Sequence, residues 1–213
     1  MSWLPVFNSL TAFVIIPSLF LWYWSGIYFS VFLLVVCFFY LSGEVVSLER
    51  RYAAAFLVFV ASEFIIFITL FSVSLWYDKL SCDSISDHLS LPLLGRVLLL
   101  TSSFFVRLYH HVREEDWSHY IILVVIFFGL CFVSLQVFEF GSCFCDSCFN
   151  AFYSCSFATT GLHFLHVLLG VFALGFLFSL GFPGDDYYSD LCVWYWHFVD
   201  YVWLWVYLVV YVI

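Results

Sequence analysis

The sequence predicts an all-α integral membrane bundle of seven transmembrane helices, and three observations carry that expectation. Of 213 residues, 65% are hydrophobic and 10% charged, against about 25% charged in a soluble domain. A water-soluble chain of this size leaves much of its area exposed and cannot hide so much apolar side chain, so lipid is the solvent. The apolar residues also fall in runs close to the roughly 20 residues that cross a bilayer as helix, too long for the roughly 10-residue alternating strands of a membrane barrel. With backbone hydrogen bonds satisfied internally, helices are the expected form.

The runs are placed near 9–24, 26–43, 51–77, 92–112, 117–140, 150–180 and 190–213, all within one membrane domain covering residues 1–213. The first two are the least separated, since Ser25-Gly26 alone divides them, and one long hairpin or a re-entrant segment is an open alternative. Met1 to Asn8 holds no Lys or Arg, so it lacks the basic start of a secretory signal and the first run is expected to be retained. Glu44, Glu49, Arg50 and Arg51 mark the loop before the third run. Asp78–Ser90, His111–Asp116, Gly141–Asn150 and Gly181–Asp190 mark the later loops.

Arg50, Arg51, Arg107 and Arg113 fall on one side of such a bundle, and Lys79 and Arg96 on the other. The excess of basic residues places the N-terminus inside and, with seven spans, the C-terminus outside. The 15 acidic residues against 6 Lys and Arg give a net charge of −9, which disfavours nucleic acid as a partner. No P-loop, dinucleotide fingerprint, H-E-x-x-H motif or nucleophile elbow occurs.

The polar residues inside the runs are the candidate functional groups. Glu63 lies in mid-span, between Ala53–Ala61 and Phe64–Ile68, where a carboxylate costs at least about 2.5 kcal/mol. It is read either as a proton or lipid site or as a buried interhelical hydrogen bond. In the sixth run Thr159, His163, His166, Gly170 and Ala173 follow a 4, 3, 4, 3 spacing. That draws one stripe of small and polar groups suited to close helix contact, with haem or metal ligation by His163 and His166 as the sharper alternative. In the seventh, His197 and Asp200 stand three apart and are expected to form a structural polar pair within the helix, with a proton relay as the other reading. Trp194, Trp196, Trp203 and Trp205 surround them and fit an aromatic belt or a lipid-facing surface.

Outside the runs, His110, His111, Glu114, Glu115, Asp116 and His119 form either a proton-collecting surface or an ordinary solvated loop. Cys143, Cys145 and Cys148, with Cys82 on the same side, could bind metal or form a disulfide. Cys37, Cys131, Cys155 and Cys192 are scattered through the runs as small apolar fillers, and a general excess of cysteine explains the cluster equally. No catalytic residue and no metal site is assigned.

Ordered motifs then add a resemblance. Trp194-Tyr195-Trp196-His197-Phe198-Val199-Asp200-Tyr201-Val202-Trp203 resembles the WYWHFVDVVW signature of cytochrome c oxidase subunit 3. Ala158-Thr159-Thr160-Gly161-Leu162-His163-Phe164-Leu165-His166-Val167-Leu168-Leu169-Gly170 is similar to that family's sixth-helix pattern, T-G-x-H-G-x-H-V-x-x-G, with Phe164 where the family usually has Gly. Arg51-Tyr52 followed by Ser62-Glu63, then Leu91-Pro92-Leu93-Leu94, His110-His111 and Leu135-Gln136 with Glu139-Phe140 continue the match in order. Residues 1–50 agree in hydropathy and length alone.

The resemblance implies a core, non-redox subunit of a haem-copper terminal oxidase, in which two N-terminal helices are set apart from five by a cleft holding phospholipids. It further implies no cofactor in this chain, haem a and copper in partner subunits, direct docking on subunit 1, and subunit 2 and accessory subunits nearby. The family's role is stability, lipid binding and support of proton uptake while electrons pass from cytochrome c to oxygen. Glu63 aligns with the family's embedded helix-three glutamate. The lipid-binding or cleft set expected here is Glu63, Arg51, Tyr52, His110, His111, His163, His166, Trp196 and His197. A composition rich in Phe, Val, Leu and Cys suggests an organelle-encoded product of the mitochondrial inner membrane. Two departures stand out: the linker from the second to the third run is very short, and the segment Gly181–Asp190 is acidic where the family often carries basic and His residues. Rival readings are subunit 3 of a quinol oxidase, whose members commonly lack the first two helices, a self-contained b-type haem protein using His163, His166 and His197, and a carrier using Glu63 and Asp200.

Overall fold

Hydrophobic runs of span length, bounded by Pro, Gly and charge, fold as helices throughout the computed structural model, which describes residues 4–21, 23–47, 53–77, 90–113, 115, 117–143, 150–179 and 186–212. Seven α-helices occur among these residues, and the chain divides into two compact units, residues 1–52 and 53–213.

The first unit is a helical hairpin of α1 (Leu4–Phe20) and α2 (Trp24–Ser47). The first two apolar runs are therefore separate helices, joined by a turn in which the N–H of Tyr23 bonds the Ser18 carbonyl at 2.9 Å. The hydroxyls of Thr11 and Ser18 donate to carbonyls four residues back, at 2.7 and 2.6 Å. Each polar group is thus satisfied on its own helix, as an apolar solvent demands.

The second unit holds α3 (Ala53–Tyr77), α4 (Leu91–His111), α5 (Ser118–Ser142), α6 (Ala151–Ser179) and α7 (Asp186–Val206), the last continuing as a π-helical segment, Tyr207–Val212. Pro92 sits in the first turn of α4, where a missing N–H costs nothing. α4 packs along α5, α5 along α6, α6 along α7 and α7 back on α4, while α3 lies against α6 and α7. By length and apolarity α3, α4, α5 and α6 each suffice to cross a membrane. α7 is less apolar because Asp186, Asp190, His197 and Asp200 fall within it. It also begins four residues before the run expected from residue 190, since acidic residues are well tolerated beside the positive end of a helix dipole.

The interior of this unit is formed by rings and small residues. Trp196 is fully enclosed; a Cβ added to Gly170 would meet its indole at 3.0 Å, and one added to Gly129 would meet it at 2.8 Å and Val171 at 2.6 Å. Those two positions therefore require the absence of a side chain. Phe132 packs edge-on against Trp203 with centroids 4.8 Å apart, and Gly95 leaves space for both rings. Ser102, Gln136, Glu139, Ser156, Thr159, Thr160, His163, His166 and Asp200 are buried. Phe104, Phe127, Phe138, Leu169, Phe172 and Trp205 are exposed. Polar and small groups inside with apolar groups outside is the arrangement expected when lipid surrounds the bundle.

Candidate functional site

A carboxyl group in hydrocarbon needs a partner on a neighbouring helix, and Glu63 has one. Its Oε2 lies 3.1 Å from His166 Nε2, joining α3 to α6. The other imidazole nitrogen, Nδ1, is 2.7 Å from the Leu162 carbonyl oxygen, one turn back on α6. A carbonyl oxygen accepts, so Nδ1 must carry a proton. The Nε2–Oε2 contact then holds one proton, written either as neutral Glu63 donating to Nε2 or as imidazolium donating to carboxylate. Phe67, fully buried one turn after Glu63, stands edge-on to the His166 ring at 5.3 Å, and Tyr195 stacks over it at 6.4 Å. The Glu63 side chain keeps 21% of its surface accessible while that of His166 keeps 7%. The proton-sharing pair is thus open on the glutamate side.

His163, one turn before His166 on the same stripe, has a different environment. It is fully enclosed, its Nε2 donates to the Val199 carbonyl of α7 at 3.2 Å, and its ring lies 4.8 Å from that of Trp203. The expected stripe therefore holds two helix contacts, α6 to α7 through His163 and α6 to α3 through His166. His166 has both nitrogens engaged, which leaves no lone pair for a metal.

Two members of the expected lipid-facing set change character. Trp196 and His163 are enclosed in the five-helix interior; the indole Nε1 of Trp196 donates to Ser102 Oγ at 2.9 Å. The physical reason is the pair of glycines, Gly129 and Gly170, which open a slot that the indole fills. The expected pairing of His197 with Asp200 inside α7 is also replaced. Ser103 of α4 stands between them, its hydroxyl donating to Asp200 Oδ2 and lying 3.2 Å from His197 Nδ1. The link thus runs across two helices.

At the end of the bundle where α4 finishes and α7 begins, Arg113 donates to Asp190 Oδ1 at 2.8 Å and to Ser189 Oγ at 2.7 Å. His110 Nε2 lies 3.5 Å from the same carboxylate oxygen. His111 and His119 are exposed. The Asp190 side chain is 41% accessible but that of Arg113 only 18%, so the contact is a part-buried salt bridge, worth about 1 kcal/mol, somewhat more than a fully exposed pair. Arg113→Gln is expected to lower the melting temperature at low ionic strength and to lower it by less in high salt, where the ion pair is screened but the loss of the bond to Ser189 remains. A thermal denaturation series in detergent at two salt concentrations checks this.

Sequence reasoning missed the functional partners rather than the anomalies. Ser102 and Ser103 are examples; so is Gln136, which donates from Nε2 to Glu139 Oε2 at 2.9 Å with both residues buried. Glu139 near the end of the fifth apolar run carried the same signal as Glu63. Arg51, Tyr52, Cys82, Glu114, Asp116, Cys145, Cys148 and residues 181–185 lie outside the described residues. Among the described residues, no group of three or more His, Cys, Asp and Glu is placed to hold a metal ion.

Fold and site define a class: a multi-span helical membrane protein whose interior polar groups hold helix to helix, with one carboxyl–imidazole pair partly open at its surface. Comparison with known proteins places the chain within that class. A family model described as cytochrome c oxidase subunit III matches residues 3–213, and the chain belongs to that family. It is 36% identical over 137 residues to cytochrome c oxidase subunit 3 of Schizophyllum commune, covering 59% of this chain and 50% of that protein. To cytochrome c oxidase subunit 3 of Loxodonta africana it is 33% identical over 133 residues, 59% of this chain and 51% of that protein. To a probable quinol oxidase subunit 3 of Staphylococcus epidermidis it is 28% identical over 174 residues, 74% and 87% respectively. The chain thus spans about half the length of the cytochrome c oxidase relatives it matches.

Proposed function

We propose that this chain is a non-redox, lipid-organising subunit of a haem-copper oxidase that takes electrons from cytochrome c, working beside a subunit 1 and subunit 2 that hold haem a and copper. The observation that carries the reading is the Glu63–His166 contact, a proton-sharing pair at the place where the family resemblance expects its embedded glutamate. Phospholipid sits beside the open edge of Glu63, and head groups engage His110 and His111 at the inner end, with Arg51 and Tyr52 assigned to the same task by the resemblance. The pair contributes to proton uptake by holding a proton near the lipid, and the chain contributes to endurance by keeping that lipid in place. The membrane is the mitochondrial inner membrane, with the N-terminus on the matrix side and the C-terminus facing the intermembrane space.

The test is turnover stability. An oxidase preparation containing the chain should sustain its rate through repeated turnover, whereas the same preparation depleted of it should start at a comparable rate and then decay. Equal decay in both would contradict the proposal. The relative named a probable quinol oxidase subunit 3 matches 74% of this chain, against 59% for the two cytochrome c oxidase relatives, which favours quinol as a second reading of the electron donor. Supplying reduced cytochrome c or a short-chain quinol to the purified complex separates the two.

A further inference from the structure

α4 and α7 run antiparallel, since Arg113 just past the end of α4 meets Asp190 near the start of α7. Between them lies a cavity of about 250 Å³. Arg107 and His197 line its part nearest that end, Ser103 follows, and Leu100, Phe104 and Leu204 line the part toward the middle of the bundle. The groove therefore passes from cation through hydroxyl to hydrocarbon. None of these groups is used by the Glu63–His166 site, which lies on α3 and α6.

Two polar groups at the cationic end are without partners. Arg107 is exposed and makes no hydrogen bond or ion pair among the described residues. It stands past Thr101, the midpoint of α4, by about 9 Å along the axis, a depth at which a guanidinium is costly without a counter-charge. The Ser103 hydroxyl donates to Asp200 Oδ2, so its oxygen accepts from His197 Nδ1–H at 3.2 Å. That leaves His197 Nε2, on a partly exposed ring, with no partner among the described residues. Asp200 is walled off, with 4% of its surface exposed and Oδ1 inaccessible; it fixes Ser103 and, through Ser103, the His197 ring.

Size and depth choose the occupant. The cavity is about eight times the ~30 Å³ share of one water, yet it falls short of the roughly 300–1,000 Å³ of sites that enclose a drug-sized ligand. It thus suits one hydrocarbon chain rather than the two of a phospholipid. A phosphodiester stays with the head groups, outside a hydrocarbon core that reaches about 15 Å from the midplane, and keeps its charge. A carboxyl group on a single chain can sink to the level of Arg107, because it pairs with the guanidinium and shares its proton with His197 Nε2. We propose that the α4–α7 groove binds a long-chain fatty acid, its carboxylate held by Arg107 and His197 Nε2 and its chain running past Phe104 and Leu204 toward the midplane. The inference goes beyond the oxidase reading and rests on α4 and α7 alone.

The experiment uses the native complex purified in mild detergent and a palmitate analogue carrying a diazirine part-way along its chain. Photoactivation should label peptides of α4 and α7 that carry Leu100, Phe104 or Leu204. Excess palmitate should displace that label, whereas its methyl ester, which has the chain without the charge, should not. Arg107→Gln should lower the label about tenfold, as loss of a charged hydrogen bond does, and Arg107→Lys should retain most of it. Leu204→Trp, which fills the apolar end and leaves the cation in place, should lower it as well. A label that palmitate does not displace, or one equal in Arg107→Gln and the unsubstituted chain, is that of ordinary boundary lipid and would overturn the proposal. Displacement by phosphatidylglycerol as effective as by palmitate would overturn it too, by assigning Arg107 to a phospholipid phosphate. Absence of haem from the complex would refute the oxidase reading and leave this result interpretable.

Discussion

Trp196→Ala is expected to be the most damaging single substitution in the second unit, at about 3–5 kcal/mol for removal of a fully enclosed indole. The side chain fills the slot left by Gly129 and Gly170 and ties α7 to α4 through Ser102. In a bilayer no aqueous penalty drives helices together, so van der Waals contact of this kind supplies much of their association. Trp196→Phe should lose less, because a ring remains, but it gives up both the bond to Ser102 and part of the indole's six-membered ring that lies against Gly129 and Gly170. Gly129→Leu approaches the same contact from the other side: its Cβ alone would meet Val171 and Trp196 within 3 Å, so α5 must separate from α6 and α7. Thermal unfolding in detergent, followed by near-ultraviolet circular dichroism of the aromatic residues, reads all three. A Gly129→Leu chain as stable as the original would show that this helix packing is misplaced.

Glu63→Ala carries the next largest effect. It leaves His166 Nε2 without a partner inside the bundle, and a buried polar group so stranded costs about 1–3 kcal/mol. Glu63→Gln has a different outcome, since the amide N–H still donates to Nε2 but the side chain exchanges no proton. The glutamine form should therefore keep most of the stability and lose the proposed proton-sharing contribution to turnover, while the alanine form loses both. Replacing both partners, Glu63→Leu with His166→Leu, removes the stranded group and should restore stability to near its original value. The double-mutant cycle, read by melting temperature beside steady-state rate, separates hydrogen bond from proton. Equal stability loss in the glutamine and alanine forms would contradict the geometry of the pair.

The sequence announced this fold in proportion to how strongly lipid constrains it. α3 to α6 were legible because an apolar run of span length has no other stable conformation in a bilayer. The start of α7 was not, because Asp185-Asp186-Tyr187-Tyr188 reads as a polar loop although acidic residues suit a helix N-terminus. Glu63 was legible as an anomaly from its apolar flanks, and the sixth-run stripe was legible from its spacing. Spacing could not say that His163 faces α7 while His166 faces α3, because that depends on where two other helices pack. Ser103 gave no signal at all: a serine in an apolar helix ordinarily bonds its own backbone, and its service to His197 and Asp200 is a tertiary fact. Trp196 was misplaced for a similar reason. An aromatic cluster in a terminal span suits a membrane belt equally well, and its enclosure depends on glycines in two other helices.

We have proposed that this chain belongs to a haem-copper oxidase without carrying its redox centres. A reduced-minus-oxidised spectrum of the complex isolated through this chain, recorded before and after the chain is dissociated, tests it most directly. An a-type haem signal should accompany the chain during isolation and stay entirely with the remaining subunits after dissociation, leaving the separated chain without a Soret band. A Soret band retained by the separated chain would contradict the account and return His163 and His197 to candidacy as haem ligands.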